Sequence, residues 1–219
     1  MAEELRTEEE QLDAIKRWWK SNGTSLLAGI VIAAAGVFGW KAWENHQDAQ
    51  REAASVRYEQ LIQLVGQQDI SDEGRKQASA LIEDINNEHG DTLYADLAHL
   101  IQARLAVEAG EQDQASQALQ KLLDTSKRPY IQGLARLNLA RVQLDQGNGE
   151  QALDTLKQTL PETLAAQAAN VRGDALVVLG RHDEARQAYQ HALTLSEQSD
   201  QPIYGVQLKL DDLAPQEAS

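Results

Sequence analysis

The chain has 219 residues, no cysteine and a formal charge of −14, which excludes disulfides, thiolate nucleophiles, cysteine metal sites and lipid-modified cysteine anchors. Asp and Glu outnumber Lys and Arg 34 to 20, and no basic patch with interleaved aromatics offsets that balance, so nucleic acid is not a partner. Aromatics are few, Ala, Leu and Gln abound, and four prolines interrupt the chain; unbranched side chains lose little freedom in a helix, so the composition predicts an all-α fold.

An acidic opening (Glu3, Glu4, Glu8, Glu9, Glu10, Asp13) leads to Lys16, Arg17, Trp18, Trp19 and Lys20. From residue 21 to residue 40 no side chain is charged. Twenty helical residues rise about 30 Å, the hydrocarbon thickness of a bilayer. Leu26, Leu27, Ile30, Val31, Ile32, Val37 and Phe38 together favour insertion by about 2–4 kcal/mol. Trp18 and Trp19 precede the run and Trp40 and Trp43 close it, as interfacial aromatic belts do. A buried core helix has no need of tryptophans at both ends. A cleavable signal peptide would open on a short basic tract, not an acidic one. Residues 21–42 are therefore read as an uncleaved transmembrane signal anchor. Lys16, Arg17 and Lys20 on the N-terminal side, against Lys41 after the run, keep residues 1–20 in the cytoplasm and send the rest across. Gly29 with Ala33, and Ala35 with Gly39, put small residues four apart, a spacing that admits a partner helix or a second copy in a homodimer.

Residues 43–65 read as a helix leaving the membrane, 66–72 as a turn, and 71–87 as a second helix carrying Ala78, Leu81, Ile82 and Ile85. Three stretches then share one spacing: Ala103, Gly110, Ala115, Leu119 and Leu122-Leu123; Ala140, Gly147, Ala152, Leu156 and Leu160; Gly173, Gly180, Ala185, Tyr189 and Leu193. The glycines recur near the period of about 34 residues of tetratricopeptide repeats. In each stretch a small residue lets the paired helix approach. Glycine then ends the first helix in the left-handed conformation, and a large residue fills the groove one turn into the second. A helix pair cannot bury its apolar face alone, so the pairs stack into a solenoid. Residues 126–130 form a longer loop, 199–202 break the chain, and 203–213 close it with a short helix. The repeat domain is thus placed at 43–213, with a disordered tail at 214–219.

No phosphate-cradling loop, nucleophile elbow or metal signature occurs, so no catalytic, cofactor or metal residue is assigned and no cofactor is expected. His182, Asp183 and Glu184 are adjacent, but the two carboxylates open a helix, where negative charge suits the dipole and caps backbone N–H groups. The surface with a use is the side lined by the first helix of each pair. Leu97, Leu100, Arg104 and Val107 form its stripe in the first repeat, Leu134, Leu137, Arg141 and Leu144 in the second, and Asn170, Asp174, Val177 and Val178 in the third. Arg104 and Arg141 are equivalent, and Asp174 replaces them. Such a mixed groove suits an extended peptide or a partner helix. About half of the leucines are expected in the inter-helix core instead, and the arginines to pair with Glu108 or Asp145 unless a partner takes them.

Particular segments carry a family resemblance. They are Ala14-Ile15-Lys16-Arg17-Trp18-Trp19, Gly39-Trp40-Lys41-Ala42-Trp43, His46-Gln47, Leu137-Asn138-Leu139-Ala140-Arg141-Val142-Gln143, Val171-Arg172-Gly173-Asp174-Ala175-Leu176 and Gln207-Leu208-Lys209-Leu210-Asp211-Asp212-Leu213. Over nearly its whole length the chain resembles the YfgM-like family, ancillary subunits of the SecYEG translocon; it departs from that family at its acidic tail. The resemblance implies a single-pass inner-membrane protein with a periplasmic repeat domain. It also implies association with SecYEG and a PpiD-like periplasmic chaperone, and transfer of unfolded secretory polypeptides to periplasmic chaperones. A restraint on the Rcs stress regulator through the cytoplasmic segment is implied as well. A membrane-anchored scaffold joining folded assembly proteins is the alternative.

Overall fold

The computed structural model describes residues 2–66 and 70–213, with side chains from residue 10 onward; the turn expected at 66–72 lies partly, and the tail at 214–219 wholly, outside the described residues. The chain divides into two compact units, Met1–Glu52 and Ala53–Ser219.

Helix α1 (Ala2–Val65) supplies the described part of the first unit and the opening residues of the second. The sequence reading separated an anchor from an exit helix, but no proline or helix-ending glycine motif lies between them, and the helix runs through. Among the described residues this is the one helix long and apolar enough to cross a membrane, with mean hydropathy 1.7 over its apolar window and 6% of that window buried. A core helix of a soluble domain would be mostly buried. Phe38 is 74% and Ile32 72% exposed, so these side chains have no protein neighbour to account for them. Trp40 and Trp43 stand with ring centroids 5.2 Å apart at the end of the apolar run. A Cβ added to Gly29 or Gly39 would meet nothing within 4 Å.

Among its described residues the second unit consists of helices joined by turns and short links, without a strand. It continues through α2 (Asp72–Glu88), α3 (Leu93–Glu108), α4 (Gln112–Thr125), α5 (Pro129–Asp145), α6 (Gly149–Leu156), a 3-10 turn at Glu162–Leu164, α7 (Ala165–Val178), α8 (His182–Ser199) and α9 (Val206–Asp212). Helices α3 and α4, α5 and α6, and α7 and α8 form hairpins, and α3, α5 and α7 neighbour one another in order. Gly110, Gly147 and Gly180 end α3, α5 and α7 with φ of 76°, 78° and 71°. At each the same pair of hydrogen bonds closes the helix. The amide of the residue after glycine reaches back five positions (Glu111 to Ala106, Asn148 to Gln143, Arg181 to Leu176, each 2.8 Å), and glycine's own amide reaches back three. This Schellman closure satisfies carbonyls that a helix end leaves open, and only glycine adopts it without steric cost. The sequence periodicity is therefore a periodicity of helix ends.

Three core clusters follow in chain order. Leu61 packs with Ile82, Ile85 and Ala98; Leu119, Leu122, Ile131 and Leu139 form the second; Leu137, Val171, Tyr189 and Val206 belong to the third. Ser71 caps α2 by accepting from the Gly74 amide at 3.1 Å, and Thr92 caps α3 by accepting from Ala95 at 3.3 Å. The longer loop expected at 126–130 is instead a short link, 126–128, because Pro129 opens α5; the longer link is the one before α7, at 157–164. What holds the short link is Asp96, 3% exposed. Its carboxylate accepts from the Ser126 hydroxyl at 2.7 Å and the Arg128 guanidinium at 2.9 Å. The closing helix is shorter than the 203–213 expected, because Gly205 at φ 79° sets its start.

Candidate partner-binding groove

Arg104 lies one turn after Leu100 on α3, with Val107 one turn further, and Arg141 holds the matching place on α5 between Asn138 and Asp145. Residues three and four apart share a helix face, so each helix turns one such stripe the same way. Together with Ala103 and Val142 they line a hollow of about 420 Å³. Its floor is Leu119 of α4, 1% exposed. The lining is largely apolar and the two guanidiniums are its cations.

Neither arginine is firmly tied to a carboxylate. Arg104 Nε stands 3.5 Å from Glu108 on its own helix, both side chains about half exposed, and its Nη2 donates to the Val65 carbonyl at 3.5 Å. Exposed pairs of this kind contribute little. Arg141 Nη1 donates to the neutral Asn138 Oδ1 at 2.9 Å. Enclosure in the groove lowers its pKa, and the charge of Asp174 works in the opposite direction.

The third repeat is built differently. Asp174 accepts from the Tyr189 hydroxyl at 2.7 Å and from Lys209 Nζ at 2.6 Å, and Lys209 also donates to Asn170 at 3.0 Å. The ammonium lies 5.5 Å from the Tyr189 ring centroid. Burial, and after it the hydrogen bond and charge of Asp174, raise the Tyr189 pKa and keep its hydroxyl protonated. Thus α9 supplies the partner that α3 and α5 lack.

The remaining sequence candidates separate cleanly. Leu100, Arg104, Val107 and Arg141 are brought together in the hollow. Leu137, read as a groove residue, is 2% exposed and belongs to the core; on a helix packed by neighbours on several sides, its face is covered. Leu97 is half-buried against the second core cluster, and Leu144 and Val177 against the third. Asp174 is occupied by Tyr189 and Lys209. Among the lining residues Asn138 and Asp145 went unassigned, although their spacing from Arg141 was a sufficient signal. Lys209 was missed too; its signal is an opposite charge recurring near the repeat period after Asp174.

Asp183 and Glu184 do not cap α8, whose N-terminus has no side-chain cap. They pair instead with Arg186 at 2.9 Å and Arg181 at 2.6 Å, and the Arg181 hydrogen bond lowers the Glu184 pKa. Among the described residues no group of three or more His, Cys, Asp or Glu side chains is placed to hold a metal ion.

These hairpins, ended by a repeated glycine closure and stacked in register, define a tetratricopeptide-type helical solenoid. In agreement, residues 16–215 match the family model described as a tetratricopeptide repeat-like domain. Curated relatives named "Ancillary SecYEG translocon subunit" are similar along most of the chain. That of Haemophilus influenzae is 32% identical over 94% of this chain and 97% of its own. That of Aggregatibacter actinomycetemcomitans is 31% identical over the same shares, and that of Escherichia coli K12 is 31% identical over 84% of this chain and 85% of its own. The chain belongs to this family of ancillary SecYEG translocon subunits. No solved structure matches it significantly.

Proposed function

We propose that the protein attends the SecYEG translocon from the inner membrane and passes translocated polypeptides to periplasmic chaperones, a PpiD-like chaperone among them. Residues 21–42 serve as the anchor, residues 1–20 stay in the cytoplasm, and the repeat domain stands in the periplasm; the cations at 16, 17 and 20 support that orientation. The single observation that carries the client-handling role is the largely apolar hollow lined by Arg104 and Arg141, in a domain whose relatives are named for the translocon. In the anchor, Gly29, Ala33, Ala35 and Gly39 are the face proposed to meet a translocon helix or a second copy. The cytoplasmic segment is the proposed site of any restraint on the Rcs regulator.

Photocrosslinking amino acids placed at 104 and 141, and at 29 and 39, test this in intact cells. Capture of nascent secretory chains from the first pair and of translocon subunits from the second is the expected result. Capture of folded envelope assembly factors without nascent chains would replace this function with that of a scaffold. If the anchor docks the translocon, Gly29→Leu abolishes copurification with SecYEG while the repeat domain stays folded.

A further inference from the structure

Along the face made by α3, α5, α7 and α9, four charged side chains hold corresponding places: Arg104, Arg141, Asp174 and Lys209. They divide the face into three cells. In the last cell the Asp174 carboxylate is bridged by Lys209 and the Tyr189 hydroxyl, and the Tyr189 ring, 2% exposed, fills the floor. In the middle cell Arg141 feels the opposite charge of Asp174. The first cell has a cation on each side, Arg104 loosely paired with the exposed Glu108 at 3.5 Å and Arg141 bonded to the neutral Asn138, and among the described residues no carboxylate is shared between them. Its floor residue is Leu119, smaller than the tyrosine at the matching place, and the hollow of about 420 Å³ remains above it. Asp145 lines the hollow, yet among the described residues no carboxylate lies within ion-pair distance of Arg141. Two guanidiniums thus line the hollow with one carboxylate, Asp145, that lies outside ion-pair distance of Arg141. A place for a bridging anion is left between the arginines, and the last cell shows what fills such a place: one carboxylate shared by two donors.

We propose that the first cell takes a large apolar side chain of an unfolded client together with a neighbouring Asp or Glu, whose carboxylate is shared by Arg104 and Arg141. Charge complementarity selects this occupant. Guanidiniums bind carboxylates through paired, charge-assisted hydrogen bonds, and the hollow of about 420 Å³ has room for a large side chain and its neighbour. The preference runs against the long-range field of the molecule, since a chain of charge −14 attracts basic segments. A preference for acidic segments therefore reports the cell and not the overall charge. This selectivity rests on the reading that the groove meets unfolded polypeptide.

The test uses the full chain in nanodiscs and three fluorescent peptides identical but for two residues flanking a central Phe: both Glu, both Gln or both Lys. Anisotropy should give the Glu peptide roughly tenfold tighter binding than the Gln peptide, as charge-assisted hydrogen bonds of this kind warrant. That margin should vanish in the Arg104→Gln/Arg141→Gln variant. Both arginines are exposed, so the fold should survive. Val107→Glu, which sets a carboxylate beside the arginines from within, should erase the margin independently. Equal binding of the Glu and Gln peptides, or a margin that survives both variants, overturns the proposed selectivity while leaving the groove as a client site. Absence of binding by all three overturns the client site and the selectivity with it.

Discussion

Position 173 requires glycine because of a ring on the facing helix. A Cβ there would stand 2.3 Å from Tyr189 Cε1, inside any tolerable contact. The matching places in the earlier repeats are Ala103 and Ala140, which face the smaller Leu119 and Leu156. Small and large residues thus trade volume across each hairpin, as close-packed interiors demand. Gly173→Ala should cost about 1–3 kcal/mol, and adding Tyr189→Leu should restore much of it. A urea-denaturation double-mutant cycle reads this directly, and additive costs would show that the two residues do not compete for the same volume. His99 is a second local constraint. It is 4% exposed and its ring nitrogen lies 3.3 Å from Gln102 Oε1; burial, the largest influence, lowers its pKa. A histidine held neutral when folded but free to protonate when unfolded gives stability that is present above the ordinary pKa and lost as pH falls below it. Between about pH 7.5 and about pH 5.5 the urea midpoint should drop more for the natural chain than for His99→Gln. Equal drops would remove His99 from the acid response.

Between elements, the junction after α4 depends on one buried carboxylate. Asp96 has 4% side-chain exposure against 38% for Arg128, so losing either partner has unequal consequences. Arg128→Met leaves the anion in the interior with the Ser126 hydroxyl as its remaining side-chain donor, and should cost about 3–5 kcal/mol. Asp96→Asn removes the buried charge and leaves a cation that reaches water, so its cost should be nearer 1 kcal/mol, about one ordinary hydrogen bond. Thermal melting of the two variants checks the order, and a reversed order would mean that the Arg128 stem, not its charge, holds the loop. The wider spacing of the first two glycines does not come from this link, which runs over 126–128 only and is shorter than the 157–164 link before α7. It comes from α4 and α5, which are longer than α6 and α7.

On the scale of the whole repeat domain, the three core clusters make stability a sum over neighbouring hairpins. Helix α9 is the last contributor. Val206 is fully buried, and Lys209 ties the helix to Asn170 and Asp174 of α7. Truncation after residue 201 should uncover Tyr189 and the end of the third cluster. Hydrogen exchange should then quicken in α7 and α8 first, while α2, α3 and α4 keep their protection. Uniform quickening along the domain would show that the repeats unfold as one unit.

The sequence by itself determined the membrane-length apolar run and the succession of hairpins, because both are written in local terms: a run without charge, and glycines where a helix must close. It also marked Arg104 and Arg141 as equivalent, since repeat register survives in spacing. Only the tertiary structure decided which faces are covered. Leu137 and Leu100 occupy comparable helical stripes, yet one is core and the other lines a hollow, because burial depends on what the next hairpin lays against each face. The same holds for Asp174, whose partner Lys209 arrives from a helix that local periodicity places but does not orient. The first cell is open because Leu119 stands where the third repeat has tyrosine, and because Asp145, although it lines the hollow, does not bridge the two arginines.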